Sequence, residues 1–254
     1  DKDLAPTVIT NRNNIPIAKV QSGDAIIFFN FRADGARQIA GAFSSEKLLG
    51  FNRPKKLDID FVAMTEYEKN LLANIAFPAD EVKECLSKVI SDSGLCQLHI
   101  AETEKYIHNT IFLNGYQKDP FAGEDRIMAA SHSVISHNKK PEMAARDIVN
   151  KVVKEIKTEK YDFIVINFAN ADMVGHTGDI RATTKAIEVV DKSVGEIVNQ
   201  VSLFGGVAFI VGDHGNAEEI ENVQTERINR EHSANPVPFI IIGEKFEGRN
   251  MGLP

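Results

Sequence analysis

The chain has 254 residues, room for one large domain or two modest ones, and its 43% hydrophobic and 26% charged composition is that of a globular protein. A formal net charge of −7 argues against a duplex-binding surface, which needs clustered lysines and arginines. No apolar run nears the roughly 18 residues of a membrane span, and the opening DKDLAPTVITN lacks the basic and apolar stretches of a signal peptide. Cys85 and Cys96 form no CxxC pair and read as free thiols, so the expected location is cytoplasmic.

Strand-like and helix-like segments alternate, which predicts an α/β fold with helical crossovers. AIIFFN (Ala25 to Asn30) reads as a short continuous apolar strand, with Asp34 as N-cap of a helix through ARQIAGAF. DFVAMT, Asp60 to Thr65, reads as another strand, whereas EYEKN and AFPAD show no sustained periodicity. Pro78 breaks helical structure, and Asp80 is the expected N-cap of EVKECLSKVI. A domain boundary falls there, giving domains of 1–78 and 79–254.

QLHIAE comes next, and NTIFLNG (109–115) is expected to be a strand. A long helix is predicted from Pro141, as the N1 residue, to about Glu159, with Ile148, Val149, Val152, Val153 and Ile156 on one face. The strand DFIVINFA follows. The next helix, Arg181 to Leu203, is expected to bury Ile187, Val190, Val194, Ile197, Val198 and Val201. GVAFIVG and PVPFIIIG read as the last two strands, and no internal repeat is found.

Five potential metal ligands cluster in the last third. Asp172 and His176 lie in NADMVGHTG, Asp213 and His214 in VGDHGNAE, and His232 in HSANPVPF. The first two blocks directly follow apolar runs, and ligands of open α/β sheets bind beyond the carboxyl ends of strands. Asp172 and His176, four apart, would share a helix face, although Gly175 and Gly178 make a regular helix there doubtful. Asp213 and His214 are adjacent, so they converge only if the chain leaves the strand, which Gly212 and Gly215 permit. Oxygen and imidazole donors without cysteine suit Mn²⁺ or Zn²⁺. Five ligands exceed one tetrahedral site, so a two-metal centre is expected, of the kind that clamps phosphoryl groups. Arg32 and Arg37, just past the first strand, have the chemistry for a bidentate contact to phosphate or carboxylate, and Lys105 that for a point charge on phosphate. Glu102 and Glu104 read as its salt-bridge partners. His99, His108, His132 and His137 read as structural.

The blocks NFRADGARQ, MTEY, AETEKY, KPEM, NFANADMVGHTG, KAIEVVD, DHGNAE and HSANPVPFI, in this order, resemble the cofactor-independent phosphoglycerate mutases of the alkaline phosphatase superfamily. The resemblance implies an alkaline-phosphatase-like sheet sandwiched by helices (79–254), preceded by part of a substrate-binding α/β transferase domain (1–78). It implies interconversion of 3-phosphoglycerate and 2-phosphoglycerate through a phosphoserine, with two divalent ions, Mn²⁺ first and Zn²⁺ or Mg²⁺ as substitutes. Asp172, His176 and His232 would hold one ion, Asp213 and His214 would help hold the other, and Arg32, Asp34 and Lys105 would bind substrate. The expected partner is a small-molecule phosphoglycerate, with no nucleic acid and no membrane, in a monomeric parent.

Two departures stand out. The family pattern has an arginine where this chain has Gly35; losing a charge-assisted contact costs about 1.5–3 kcal/mol. The chain also resembles only the C-terminal part of such an enzyme. The nucleophilic serine and an aspartate ligand belong to the family's amino-terminal segment, and its helix-rich end lies beyond MGLP. The chain by itself is therefore expected not to complete turnover: either it is part of a longer mutase, whose remainder is its partner, or it pairs with a separate partner that supplies the rest. A metal-dependent phosphatase or phosphopentomutase of the same superfamily, and a non-catalytic fragment binding metal or a partner, are the competing readings.

Overall fold

The computed structural model describes residues 7–46, 52–53, 55–68, 71–78, 82–222 and 227–248. Its chain divides into two units, Asp1–Glu81 and Val82–Pro254.

The first unit is built on β1 (Ala25–Phe28), α1 (Ala33–Ser44), β2 (Asp60–Ala63) and β3 (Asn74–Ile75). The strands pair in parallel in the order β1-β2-β3. Ala36 and Ala40 bring α1 onto Phe61, Ala63 and Tyr67, so small residues on the helix accommodate aromatics from the sheet. Two corrections apply here. Asp34 is not the N-cap: α1 starts at Ala33 with Arg32 as the capping residue, which puts Asp34 in the first turn. β3 went unforeseen, because a two-residue strand leaves no periodicity to read.

The second unit contains α2 (Leu86–Asp92), β4 (Gln97–Glu102), α3 (Thr103–Ile107), β5 (Glu124–Ala129), α4 (Ala145–Ile156), β6 (Phe163–Asn167), α5 (Asn170–Gly175), α6 (Ile180–Leu203) and β7 (Ala208–Val211). The two-residue strands β8 (Glu221–Asn222) and β9 (Arg227–Ile228) pair with each other, and β10 (Phe239–Ile242) closes the series. β4 lies between β5 and β6, parallel to both, and each of its six residues is buried. That is the pattern of a central strand covered on both faces. β10 runs antiparallel to β7 in a separate two-stranded sheet. The core is the α4 face of Ile148, Val149, Val152 and Ile156, packed on Ile100 of β4 and Ile197 of α6.

Several expected elements are placed differently. Residues 109–115 are not a strand: His108–Phe112 form a π-helical turn. Both edges of β4 are already paired, and Asn109 instead spends its amide on the carbonyls of Ile100 and Val165, at 3.1 and 3.3 Å. β5 was missed because its sequence, EDRIMA, begins with three charged residues. Glu124 is buried there against the Arg126 guanidinium, 2.5 Å away. The expected N-cap Asp80 lies outside the described residues, and α2 begins only at Leu86, with Cys85 as its cap.

Pro141 is not an N1 residue, for α4 begins at Ala145. Met143 sits in the left-handed region, φ 44°, which prevents the helix from extending back to the proline. Ile187 is 44% exposed rather than buried. The buried stripe of α6 runs instead through Ala182, Thr183, Ala186, Ser193 and Ile197, whose small members let the helix sit close to its neighbours. Replacing Ile148 with Ala is expected to cost about 2–5 kcal/mol, and Ile187→Ala within about 0.5 kcal/mol, in denaturant unfolding. Equal losses would show that the hydrophobic pattern, not the packing around α4 and α6, ranks these positions.

Candidate metal centre

The three parallel strands β5, β4 and β6 deliver their carboxyl ends to one edge, and two of the following segments carry functional groups. β4 runs directly into α3, which holds Lys105. After β6, Asn170 opens α5, a helix of six residues that carries Asp172 and is capped by His176. A helix forms there despite the glycines, so Asp172 and His176 share a face as their spacing implies. His232 arrives from a loop sixty positions after Asp172.

Donor atoms of Asp172, His176 and His232 lie within 4.8 Å of one another. Asp172 Oδ1 is 3.0 Å from His232 Nε2 and 3.1 Å from His176 Nε2, and the two Nε2 atoms are 3.2 Å apart. Ligand bonds of 2.0–2.2 Å at tetrahedral or octahedral angles put neighbouring donors roughly 3.0–3.5 Å apart, so these side chains fit one divalent ion. The donor chemistry agrees. His176 Nδ1 donates to the carbonyl of Arg230 at 2.5 Å, which fixes the tautomer and leaves the Nε2 lone pair facing the other ligands.

Lys105 binds the other side of the same carboxylate, its Nζ 2.5 Å from Asp172 Oδ2. Burial pushes the Asp172 carboxyl up, but the hydrogen bond and charge of Lys105, then the charges of His176 and His232, outweigh it. The carboxyl is held below the ordinary aspartate range. Asp172 therefore stands ionised between the Lys105 ammonium and the Asn216 amide.

Asp213 and His214 do not join the three-ligand cluster. His214 Nε2 is 3.5 Å from Asp213 Oδ2, and the His214 ring stacks on His232 with centroids 3.7 Å apart. The block thus lies against the cluster through His214, while Asp213 is exposed. Arg32 and Asp34 belong to the first unit. Arg32 is exposed, and its backbone N–H donates to Asn30 Oδ1 at 2.8 Å.

Sequence reasoning missed the residues that hold the loops. Asn216 donates from Nδ2 to Asp172 Oδ1 at 2.8 Å, and a side chain at Gly175 would collide with it, since a Cβ would meet Asn216 Oδ1 at 2.3 Å. Glu218 accepts from Ser233 Oγ, from Asn235 Nδ2 at 2.9 Å and from the Asn216 backbone at 2.8 Å. It ties the DHGNAE loop to the HSANP loop. No metal-ligand spacing marks either residue; the nearest signal is that both fall inside a block flagged for its neighbours.

The fold and these donors define a class. A match over residues 17–252 places the chain in the metalloenzyme superfamily, and it belongs to that family. Within it, 2,3-bisphosphoglycerate-independent phosphoglycerate mutase 1 of Methanosarcina acetivorans is 47% identical over 243 residues, covering 96% of this chain and 47% of that protein. The corresponding mutase of Moorella thermoacetica is 44% identical over 252 residues, covering 99% of this chain and 48% of that protein. A crystal structure of Leishmania mexicana phosphoglycerate mutase at low cobalt concentration matches with a TM-score of 0.79 at 28% identity, over 94% of this chain and 46% of that one. The α/β fold is thus of the expected alkaline-phosphatase-like kind. The chain spans about half the length of the curated relatives it matches.

Two outcomes follow. Gly175→Ala is expected to displace Asn216 from Asp172 and to weaken divalent-ion binding by about tenfold, the usual scale for a lost supporting contact, with calorimetry as the measure. Glu218 is the second test. Burial raises its carboxyl, but Ser233, Asn235 and the Asn216 backbone outweigh this and lower it from 4.5 to about 2. A carboxyl lowered in the folded state stabilises fully above its unfolded pKa and loses that contribution as pH falls through the folded one. The stability gap between the unaltered chain and Glu218→Gln should therefore be widest above pH 4.5 and close towards pH 2. A gap that is constant across this range would refute the clamp.

Proposed function

We propose that this chain supplies the cation-binding and lysine-bearing part of an enzyme that interconverts 3-phosphoglycerate and 2-phosphoglycerate without a bisphosphoglycerate cofactor. One observation carries the reading. A single half-buried carboxylate, Asp172, turns one oxygen to His176 and His232 and the other to the Lys105 ammonium, at the carboxyl edge of a parallel sheet. A cation site and a phosphate-seeking charge are thereby set side by side.

Asp172, His176 and His232 would hold one Mn²⁺, because two imidazoles and one carboxylate favour Mn²⁺ or Zn²⁺ over Mg²⁺. Asp213 and His214 would contribute to a second ion. When bound, such a pair neutralises phosphoryl oxygens and lowers the pKa of an attacking hydroxyl. Lys105 adds a compact point charge to the same phosphoryl group, and its contact with Asp172 keeps it aimed there. The bond from His176 Nδ1 to the Arg230 carbonyl orients the ring so that Nε2 faces Asp172 and His232.

Arg32 and Asp34 would bind the glycerate from the first unit. Gly35, where the family has arginine, offers only a backbone N–H, so weaker substrate binding is part of the proposal. The substrate is a small phosphoglycerate, and the partner is the remainder of the same protein, in a monomeric cytoplasmic enzyme that takes neither nucleic acid nor membrane. Among the described residues no helix is long and apolar enough to cross a membrane.

The test has two parts. In calorimetric titration, Asp172→Asn and His232→Ala are expected to weaken Mn²⁺ binding by about tenfold or more. In phosphorus NMR, a protein spanning the full length of the relatives should exchange the two isomers and release little phosphate, while the 254-residue chain alone should not exchange them. Phosphate release without exchange, or Mn²⁺ affinity indifferent to both substitutions, would remove this reading.

A further inference from the structure

Glu102 closes β4, is fully buried, and takes no part in the cation cluster. It makes no ion pair with Lys105. Its Oε2 accepts instead from Ser131 Oγ at 3.1 Å and from the backbone N–H of Ala144 at 3.3 Å, while Oε1 has no partner among the described residues. A buried acidic oxygen left over in this way is costly for a purely structural side chain and calls for a reason.

The bonds that Glu102 does make, and those of Asn170, converge on one turn. Asn170, also fully buried, donates from Nδ2 to the carbonyls of Pro141 and Glu142 at 2.8 and 2.9 Å. Glu102 holds the same turn two residues further on, at Ala144. Between these anchors Met143 takes its left-handed backbone and packs against Ala169 and Val174. Glu102 is also the residue from which α3 starts, and Asn170 is the first residue of α5. One turn, residues 140–144, is thus fastened at one point to the base of the helix bearing Lys105 and at another to the base of the helix bearing Asp172.

We propose that Glu102 and Asn170 are positioning residues, which through the shared turn at 140–144 set the approach of Lys105 to Asp172 and so aim the ammonium at the transferring phosphoryl group. Only the task of Lys105 rests on the function proposed above; the geometric clamp stands without it. Burial, partly offset by the bonds from Ser131 and Ala144, pushes the Glu102 carboxyl above the ordinary glutamate range. A carboxamide of the same shape keeps an oxygen that accepts from Ser131 and Ala144, so it should serve as well.

The experiment follows the Lys105 ammonium by NMR of nitrogen-labelled lysine side chains in the full chain, assigned by its disappearance in Lys105→Arg. Hydrogen exchange of that ammonium is the readout. Glu102→Gln should leave it unchanged, whereas Glu102→Ala and Asn170→Ala should each speed it by about tenfold, as a buried ion pair opens. Should Glu102→Ala fail to fold, Ser131→Ala removes one bond and little volume, and a smaller acceleration in the same direction is expected. In the isomer-exchanging protein Glu102→Ala should lower kcat by about tenfold or more, as misplaced catalytic groups do, with KM nearly constant and Glu102→Gln restoring the rate. Unchanged ammonium exchange in Ser131→Ala and Asn170→Ala, or a loss in Glu102→Gln equal to that in Glu102→Ala, overturns the proposal. If no isomer exchange is found in any form, the proposed function fails, and the ammonium readout still decides the clamp.

Discussion

The second unit is organised around one half-buried carboxylate. Asp172 carries a single negative charge in a setting that would expel it were it alone, because desolvation of an unpaired ion costs several kcal/mol. It is retained because both oxygens are occupied: Lys105 on one, Asn216 and two imidazoles on the other. Each partner comes from a different stretch of chain, so a requirement for charge compensation becomes a requirement on the tertiary arrangement. α3, α5, the loop after β7 and the loop before β10 must all meet at this point.

The backbone meets that demand with small residues and unusual torsions rather than with bulk. Gly175 leaves room for Asn216, and Gly215 lets Ser233 approach so closely that a Cβ would meet its Oγ at 2.1 Å. Gly178, at φ 73°, turns the chain out of α5 and accepts Ile228 and Arg230 against its bare Cα. The Arg230 carbonyl can then reach His176. Supporting contacts of this sort set the orientation and basicity of ligands, and they decide whether three donors form a site or merely a polar patch.

How much of this was legible in the sequence depends on whether an effect leaves a local trace. Continuous apolar runs such as 163–167 and 208–211 announced strands, and the DxxxH spacing announced the ligand pair. The run TIFL deceived, since a short apolar stretch has no periodicity to separate strand from helix. Its fate was decided by β4 having no free edge and by Asn109 reaching two carbonyls. EDRIMA deceived in the opposite sense, because a buried Glu124–Arg126 pair looks like surface until both partners are seen together. Asn216, Glu218 and the Arg230 carbonyl act through an amide, a carboxylate crosslink and the main chain, and no spacing rule addresses those. Ile187 shows the limit of helical periodicity: it identifies an apolar side but not which part of that side a small-residue stripe will bury.

The separation of Asp172 and His232 along the chain has a topological consequence. The side chains that touch at 3.0 Å are sixty positions apart, with the whole of α6, β7 and the short paired strands β8 and β9 between them. Any ion gripping both ends acts as a staple across that long excursion, and closing so large a loop removes more freedom from the unfolded chain than closing a short one. Cation occupancy and conformational stability are therefore coupled quantities in this unit, with free ion concentration acting on its melting behaviour by mass action.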